Sequence, residues 1–143
     1  MRIVLVVMLL GMLLAAPGSV QARSSVPIVN VEDQSIVRED GKPLAADQVR
    51  RAIIIAGSVN RKEEWSFREQ GEGTLVGTLV IRGKHTARVN IRYNPTQFSI
   101  FYRDSENLNF EKGKDGRDSI HPNYNKWVSN LLRAIKREMQ RIE

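Results

Sequence analysis

Two histidines, His85 and His121, are the side chains whose type best suits metal binding or proton transfer. A zinc site needs three or four histidine, cysteine or carboxylate ligands, several of them held at a fixed spacing on one element. The two histidines are far apart in the sequence, and neither has a further ligand at such a spacing. We interpret His85 as a partly buried residue at a strand start and His121, which precedes Pro122, as a helix cap. No metal site and no cofactor are predicted.

The other candidates for catalysis or ion binding do not match the motifs that such chemistry requires. No serine lies in the Gly-x-Ser-x-Gly context of hydrolases, and Gly71-Glu72-Gly73 is typical of a hairpin turn. The carboxylates of residues 104–118 do not follow the ligand spacing of a calcium loop, and Lys112, Lys114 and Arg117 lie among them. We therefore predict that the chain is not an enzyme.

The feature most open to function is a group of basic side chains on the polar face of a predicted sheet. Arg88 and Arg92 lie on one face of a strand, and the others lie on neighbouring turns or on the next strand. The group comprises Arg82, Lys84, Arg88, Arg92 and Arg103. Such a stripe attracts an anionic partner. An ordinary solvated face, in which arginine stems cover apolar surface, uses the same residues, so both interpretations stay open.

Hydrophobic periodicity predicts the elements that hold these residues. Residues 45–57 have helical spacing, with Val49 and Ile53 on one face and Gly57, which tolerates the left-handed conformation, at the end. Four strands follow, joined by three short turns, and predict an antiparallel meander. Residues 85–93 alternate most cleanly, with one face formed by Ala87, Val89, Ile91 and Tyr93 and the other by Thr86, Arg88, Asn90 and Arg92.

The two ends of the domain complete the predicted fold. Residues 26–31 have the composition of a short strand, which Pro27 confines to a sheet edge or a strand start. Residues 104–120 are polar and predict a long ordered loop. Pro122 suits the first turn of a final helix, in which apolar residues recur every three or four positions. The predicted class is α+β: an antiparallel meander of about four strands, with a short N-terminal strand, packed by two helices in the order β-α-β-β-β-β-α.

The first residues have the three-part anatomy of a secretory signal peptide. Arg2 provides a positive charge, residues 3–16 are an apolar run, and Pro17-Gly18 breaks any helix before Val20-Gln21-Ala22. The apolar run is too short to span a bilayer, which takes about 20 residues. We predict that residues 1–22 are a signal peptide cleaved after Ala22 and that residues 23–143 form one exported domain.

Composition narrows the functions that an exported chain can perform. The formal net charge is +6, and there is no cysteine. The lack of cysteine excludes a disulfide framework, a thiolate metal site and a cysteine nucleophile. A basic exported protein is attracted to anionic lipid headgroups, lipopolysaccharide or acidic polymers. Nucleic acid matches the charge but not the compartment, and a positive charge that only keeps the domain soluble is the alternative.

Three segments carry a resemblance to known proteins: Ala87–Tyr93, Phe98–Leu108 and Ile120–Trp127. Together they resemble a group of small exported bacterial proteins, several of them lipoproteins, that have no assigned activity. The resemblance implies a protein of the bacterial periplasm with a compact α+β domain, and it supplies no reaction. This chain lacks the cysteine to which a lipoprotein attaches its lipid, so the resemblance does not imply membrane tethering.

Within these segments, residues of the predicted loop and of the final helix would come together. They are Asp104, Ser105, Asn107, His121, Tyr124, Asn125 and Trp127. We interpret them as a structural clasp, in which short polar side chains bind the unpaired backbone groups of the loop and of the helix start.

Two hypotheses of function follow. The leading one is a small, soluble, non-catalytic binding or interaction module that contacts an anionic envelope component or a periplasmic protein through the sheet face. The other is an enzyme or small-ligand-binding protein that uses the junction around Asp104, His121 and Tyr124. The sequence predicts neither the identity of the ligand or partner nor the oligomeric state.

Overall fold

The structure, a computed structural model, describes residues 24–143, and the predicted signal peptide with its cleavage site lies outside the described residues. Within that range, two helices pack on one face of an antiparallel five-stranded sheet, and a two-stranded ribbon accompanies them. The predicted α+β class is therefore confirmed. The elements are β1 (Val26–Pro27), β2 (Val31–Ser35), α1 (Ala46–Gly57), β3 (Trp65–Glu69), β4 (Thr74–Ile81), β5 (His85–Tyr93), β6 (Gln97–Glu106), β7 (Ser119–Ile120) and α2 (Pro122–Arg141).

The sheet is the predicted meander with one strand added at its edge. Its strand order is β2-β6-β5-β4-β3, and every neighbouring pair is antiparallel. The register pairs Leu75 with Ile91 and Leu79 with Ala87, which gives the sheet a continuous apolar inner face. The apolar sides of both helices cover this face, and Ile53 of α1 and Ile135 of α2 are fully buried there.

The N-terminal segment and the predicted loop differ from expectation. The expected single short strand is two strands, because β1 pairs with β7 and β2 pairs with β6. The predicted loop of residues 104–120 is shorter, since β6 continues to Glu106 and β7 begins at Ser119. These pairings join segments far apart in sequence, and the local alternation of apolar and polar residues does not encode them.

The helix α1 ends at Gly57, as predicted, but Gly57 does not adopt the left-handed conformation. The residue that follows, Ser58, has φ −101° and ψ 0°, so the helix does not end through a left-handed glycine. A Cβ atom at Gly57 would instead overlap the Phe67 ring, and one at Gly77 would lie 2.9 Å from the same ring. The two glycines make room for Phe67 between α1 and the sheet.

Polar contacts hold both ends of α2. At its start, His121 is the predicted cap: its Nδ1 accepts a hydrogen bond from the backbone N–H of Asn123 at 3.1 Å. At its end, Arg38 donates to the carbonyl oxygens of Met139 and Ile142, at 3.2 and 2.5 Å. The Arg38 side chain is 9% exposed and also pairs with Asp40 at 2.7 Å. These contacts fix the position of α2 on the sheet.

Candidate functional site

The predicted basic stripe lies partly on the outer face of the sheet, opposite the helices, where its arginines have partners. Arg88 donates to a carboxylate oxygen of Asp104 at 2.7 Å and to one of Glu106 at 3.3 Å. Arg103 donates to Asn90 at 2.9 Å and to Gln70 at 3.0 Å, and its Nε lies 3.7 Å from an Asp104 oxygen. Each of the two arginines is therefore held by neighbours on its own face.

The third arginine of the outer face is in an aromatic contact. The guanidinium carbon of Arg92 lies 5.7 Å from the centre of the Phe101 ring, in a cation–π arrangement. The remaining two members of the stripe, Arg82 and Lys84, lie at the turn between β4 and β5. Arg82 has φ 55° and lines a cleft beside the start of α2. The structure therefore divides the predicted stripe between two places.

A β-bulge explains why the carboxylate partners were missed. The register of β5 against β6 shifts between Arg88 and Val89, so that Arg88 pairs with Asp104 and Val89 with Tyr102. The bulge brings Arg103 and Asp104, which are adjacent in sequence, onto the same face. Simple alternation would put them on opposite faces. The sequence feature that could have indicated these partners is the pair Asp104 and Glu106. The two residues are two positions apart and continue the alternating strand pattern beyond the predicted strand end.

The residues of the predicted clasp occupy several different environments. Ser105 bonds the Tyr102 hydroxyl at 2.9 Å, and the Asn107 amide donates to the Lys84 carbonyl oxygen at 2.7 Å. The Asn125 amide group accepts from the Val29 N–H at 3.1 Å and donates to the Pro27 carbonyl at 2.9 Å, which fastens α2 to the N-terminal segment.

The aromatic members of the clasp belong to the core. Tyr124 is 1% exposed and packs edge-on against Tyr102, with 5.4 Å between ring centres, and burial raises the pKa of the Tyr124 hydroxyl. Trp127 is 7% exposed. Because Asp104 is on the outer sheet face and Tyr124 is inside the helix layer, the structure does not bring Asp104, His121 and Tyr124 into one site.

A second cationic surface, for which the sequence pattern predicted no function, lies on the exposed side of α2. It consists of Lys126, Arg133, Lys136 and Arg137. None of these side chains forms an ion pair within residues 24–143. Arg133 donates to Ser129 and Asn130, which are neutral. The acidic residue of α2, Glu138, is buried and lies 3.5 Å from Arg141. The sequence feature that could have indicated this surface is the polar side of the helix, which carries basic residues and no exposed acidic side chain.

Exposed apolar side chains lie near the end of α1 and in the turn after it, and one of them, Val59, borders two of these cations. Ile55 is 45% exposed and Val59, four residues later, is 52% exposed. A groove of about 290 Å³ between the end of α1 and α2 is lined by Val59 together with Arg133 and Arg137. We call the surface formed by Ile55, Val59, Lys126, Arg133, Lys136 and Arg137 the helix face.

The two histidines line one cleft, which the sequence analysis did not predict. The cleft has a volume of about 560 Å³ and lies between the β4–β5 turn, the segment before β3 and the start of α2. Its lining residues are Lys62, Glu63, Ile81, Arg82, His85, Leu108, His121, Asn123 and Trp127. The spacing of the two histidines in the sequence does not indicate that they line the same cleft, because only the tertiary fold brings the β4–β5 turn close to the start of α2.

Within residues 24–143, no three histidine, cysteine or carboxylate side chains are grouped so as to hold a metal ion. No helix of that range has the length and apolar character needed to cross a membrane. The chain matches no protein-family model, no curated protein and no solved structure.

Proposed function

We propose that this chain is an exported, non-catalytic module that binds an anionic lipid surface of the bacterial envelope through its helix face. The observation that carries the proposal is the group of four exposed cations on α2 that form no ion pair within residues 24–143, two of which, Arg133 and Arg137, line a groove with the exposed Val59. The cations suit the anionic headgroups of a lipid surface, and the exposed apolar side chains suit the apolar boundary beneath the headgroups.

Electrostatics favours the helix face over the outer sheet face as the binding surface. The Asp104 carboxylate, 2.7 Å from Arg88, already neutralises much of the positive charge that would attract an external anion. To bind a phosphate, Arg88 would have to leave Asp104 or share its donors with it. Lys136 and Arg137 form no ion pair within residues 24–143, and each basic residue near an anionic bilayer contributes about 1 kcal/mol to binding.

The exposed apolar side chains favour a lipid surface over a soluble acidic polymer. Ile55 and Val59 expose about half of their surface to water, although α1 has a buried face available for apolar residues. Contact with a polymer in water would leave them exposed, whereas the headgroup boundary of a bilayer covers them. Removing apolar area from water contributes roughly 25 cal/mol per Å².

Export remains part of the proposal, and its support is the signal-peptide anatomy of residues 1–22 with the resemblance to exported bacterial proteins. We expect the chain recovered from the periplasm of an expressing bacterium to begin at Arg23, as measured by N-terminal sequencing and intact mass. Recovery only from the cytoplasm, with residues 1–22 still attached, would contradict this part of the proposal.

Vesicle co-sedimentation tests the binding function. The exported chain is mixed with vesicles of phosphatidylglycerol and phosphatidylcholine, or of phosphatidylcholine alone, over a series of salt concentrations. We expect binding to the anionic vesicles that weakens as salt screens the charges, and little binding to the neutral ones. Equal binding to both compositions, or none to either, would contradict the proposal.

A double variant, Ile55→Ser with Val59→Ser, separates the apolar contribution from the charge. We expect it to bind anionic vesicles about tenfold more weakly, since roughly 1 kcal/mol or more of apolar contact is lost. Its binding to dextran sulfate, which has charge but no apolar boundary, is expected to stay unchanged. An equal loss on both materials would show that the apolar residues act only through the fold.

A further inference from the structure

The cleft that holds both histidines has a donor and acceptor arrangement that the fold imposes. His85 Nδ1 lies 2.7 Å from the carbonyl oxygen of Asn107. A carbonyl oxygen only accepts, so the proton of the neutral His85 ring is on Nδ1 and its Nε2 carries a lone pair. His85 also lines the cleft, and its Nε2 is in no hydrogen bond within residues 24–143.

His121 is fixed in the opposite tautomer. Its Nδ1 lies 3.1 Å from the backbone nitrogen of Asn123, whose N–H only donates. The Nδ1 of the neutral ring therefore carries the lone pair, and Nε2 carries the proton. The cleft thus has one imidazole acceptor and one imidazole donor. A metal ion would need a lone pair on His121 Nε2, which the helix cap opposes, so the pair suits a hydrogen-bonding ligand better than a cation.

The charges around the histidines favour an anion. Arg82 and Lys62 line the same cleft, and neither forms an ion pair within residues 24–143. The acidic residue of the lining, Glu63, receives two hydrogen bonds from the Asn130 amide, at 3.2 and 2.9 Å. The oxygens of Glu63 are therefore engaged on the α2 side, and the remaining charged side chains of the lining are cationic.

Apart from Asn123, the rest of the cleft is lined by apolar side chains. Ile81, Leu108 and Trp127 line it, and Leu108 and Trp127 are almost fully buried, so each presents only a small surface. Pockets for small ligands typically combine such apolar walls with a few polar groups that fix orientation, in volumes of about 300–1,000 Å³. A volume of about 560 Å³ falls in this range.

We propose that this cleft binds a small organic anion, with its phosphate or carboxylate oxygens on Arg82 and His121 Nε2 and its apolar part against Trp127. His85 Nε2 accepts a hydrogen bond from a hydroxyl or amide group of the same ligand. This site is separate from the helix face, and its test does not depend on lipid binding.

Nuclear magnetic resonance of the imidazole nitrogens tests the proposal, because the chain has two histidines and His85→Gln assigns their signals. In alkaline solution, where imidazoles are neutral, we expect the Nδ1–H tautomer for His85 and the Nε2–H tautomer for His121. The probes are phenyl phosphate, benzoate, inorganic phosphate and phenol. We expect saturable shifts of the His121 signals with phenyl phosphate or benzoate, weaker saturation with inorganic phosphate, and none with phenol.

Two variants make the result specific. Arg82→Gln, in an exposed turn, should weaken the binding of phenyl phosphate roughly tenfold or more, because a charged donor to the anion is lost. Arg92→Gln, on the outer sheet face, should bind it as the unaltered chain does. Shifts that never saturate with any anion, equal affinity for phenol, or an Arg82→Gln variant that binds unchanged would each overturn the proposal.

Discussion

The outer sheet face and the helix face both present basic side chains to solvent, but they differ in what lies next to each charge. On the sheet, a neighbouring strand places Asp104 and Glu106 beside Arg88, and Phe101 lies under Arg92. On α2, Lys136 and Arg137 form no ion pair within residues 24–143, and Arg137 lines a groove together with Val59 and Glu63. The comparison shows that basic residues alone do not identify a binding surface. The partners supplied by adjacent elements determine whether a cation is already satisfied.

Substitutions on the buried side of α2 should lower the free energy of unfolding far more than substitutions on its exposed side. Ile135 is fully buried in the core, and Lys136, the next residue, is exposed. We expect Ile135→Ala to lower the free energy of unfolding by about 2–5 kcal/mol, because it leaves a cavity between the helix and the sheet. Lys136→Gln should change that free energy by no more than about 0.5 kcal/mol. Chemical denaturation measures both, and a large loss from Lys136→Gln would mean that the cation has a structural role.

A charge-neutralising change should convert the sheet face into a surface like the helix face. The double variant Asp104→Asn with Glu106→Gln removes the carboxylates that hold Arg88. When it is made in a chain that lacks three of the four helix-face charges (Arg133→Gln, Lys136→Gln and Arg137→Gln), we expect binding to anionic vesicles to rise about tenfold. The same change should leave binding to neutral vesicles unaltered. If no binding is gained, ion pairing is not what distinguishes the two faces.

A small effect of low pH on stability is expected from the Arg38–Asp40 ion pair, which holds the end of α2. Hydrogen bonding to Arg38 lowers the pKa of Asp40 below its ordinary value of about 3.9. A lowered folded-state pKa stabilises the fold above the unfolded-state pKa, and the stabilisation is lost as the pH falls through the folded-state value. We expect Asp40→Asn to lower the melting temperature slightly at neutral pH, by an amount that shrinks as the pH is lowered below about 4. A difference that does not change with pH would contradict this role.

Local periodicity was sufficient to predict the elements that are amphipathic within themselves. The alternation of residues 85–93 and the helical spacing from Tyr124 onwards specify which side of each element is buried, and the structure confirms both. The capping role of His121 was also predictable, because a side chain that precedes Pro122 is close to the unpaired N–H groups of the helix.

The features that were not predicted depend on contacts between distant segments. The pairing of β2 with β6 and the bulge beside Arg88 are properties of the strand register, which alternation within one strand does not specify. The meeting of His85 and His121 in one cleft likewise requires the hairpin and the helix start to be brought together by the fold. The helix face was different: its cations were visible in the sequence, and what distinguishes them is that none forms an ion pair within residues 24–143.

The affinity of two matched triple variants for phosphatidylglycerol vesicles shows which of the two faces binds lipid. The first replaces Arg133, Lys136 and Arg137 with glutamine, and the second replaces Arg88, Arg92 and Arg103 with glutamine, so both lose the same charge. Because three basic residues near a bilayer contribute about 3 kcal/mol, we predict that the first variant binds about 100-fold more weakly. The second, checked for folding by circular dichroism, is predicted to bind as the unaltered chain does. An equal loss in both variants, or a loss confined to the second, would contradict the assignment of binding to the helix face.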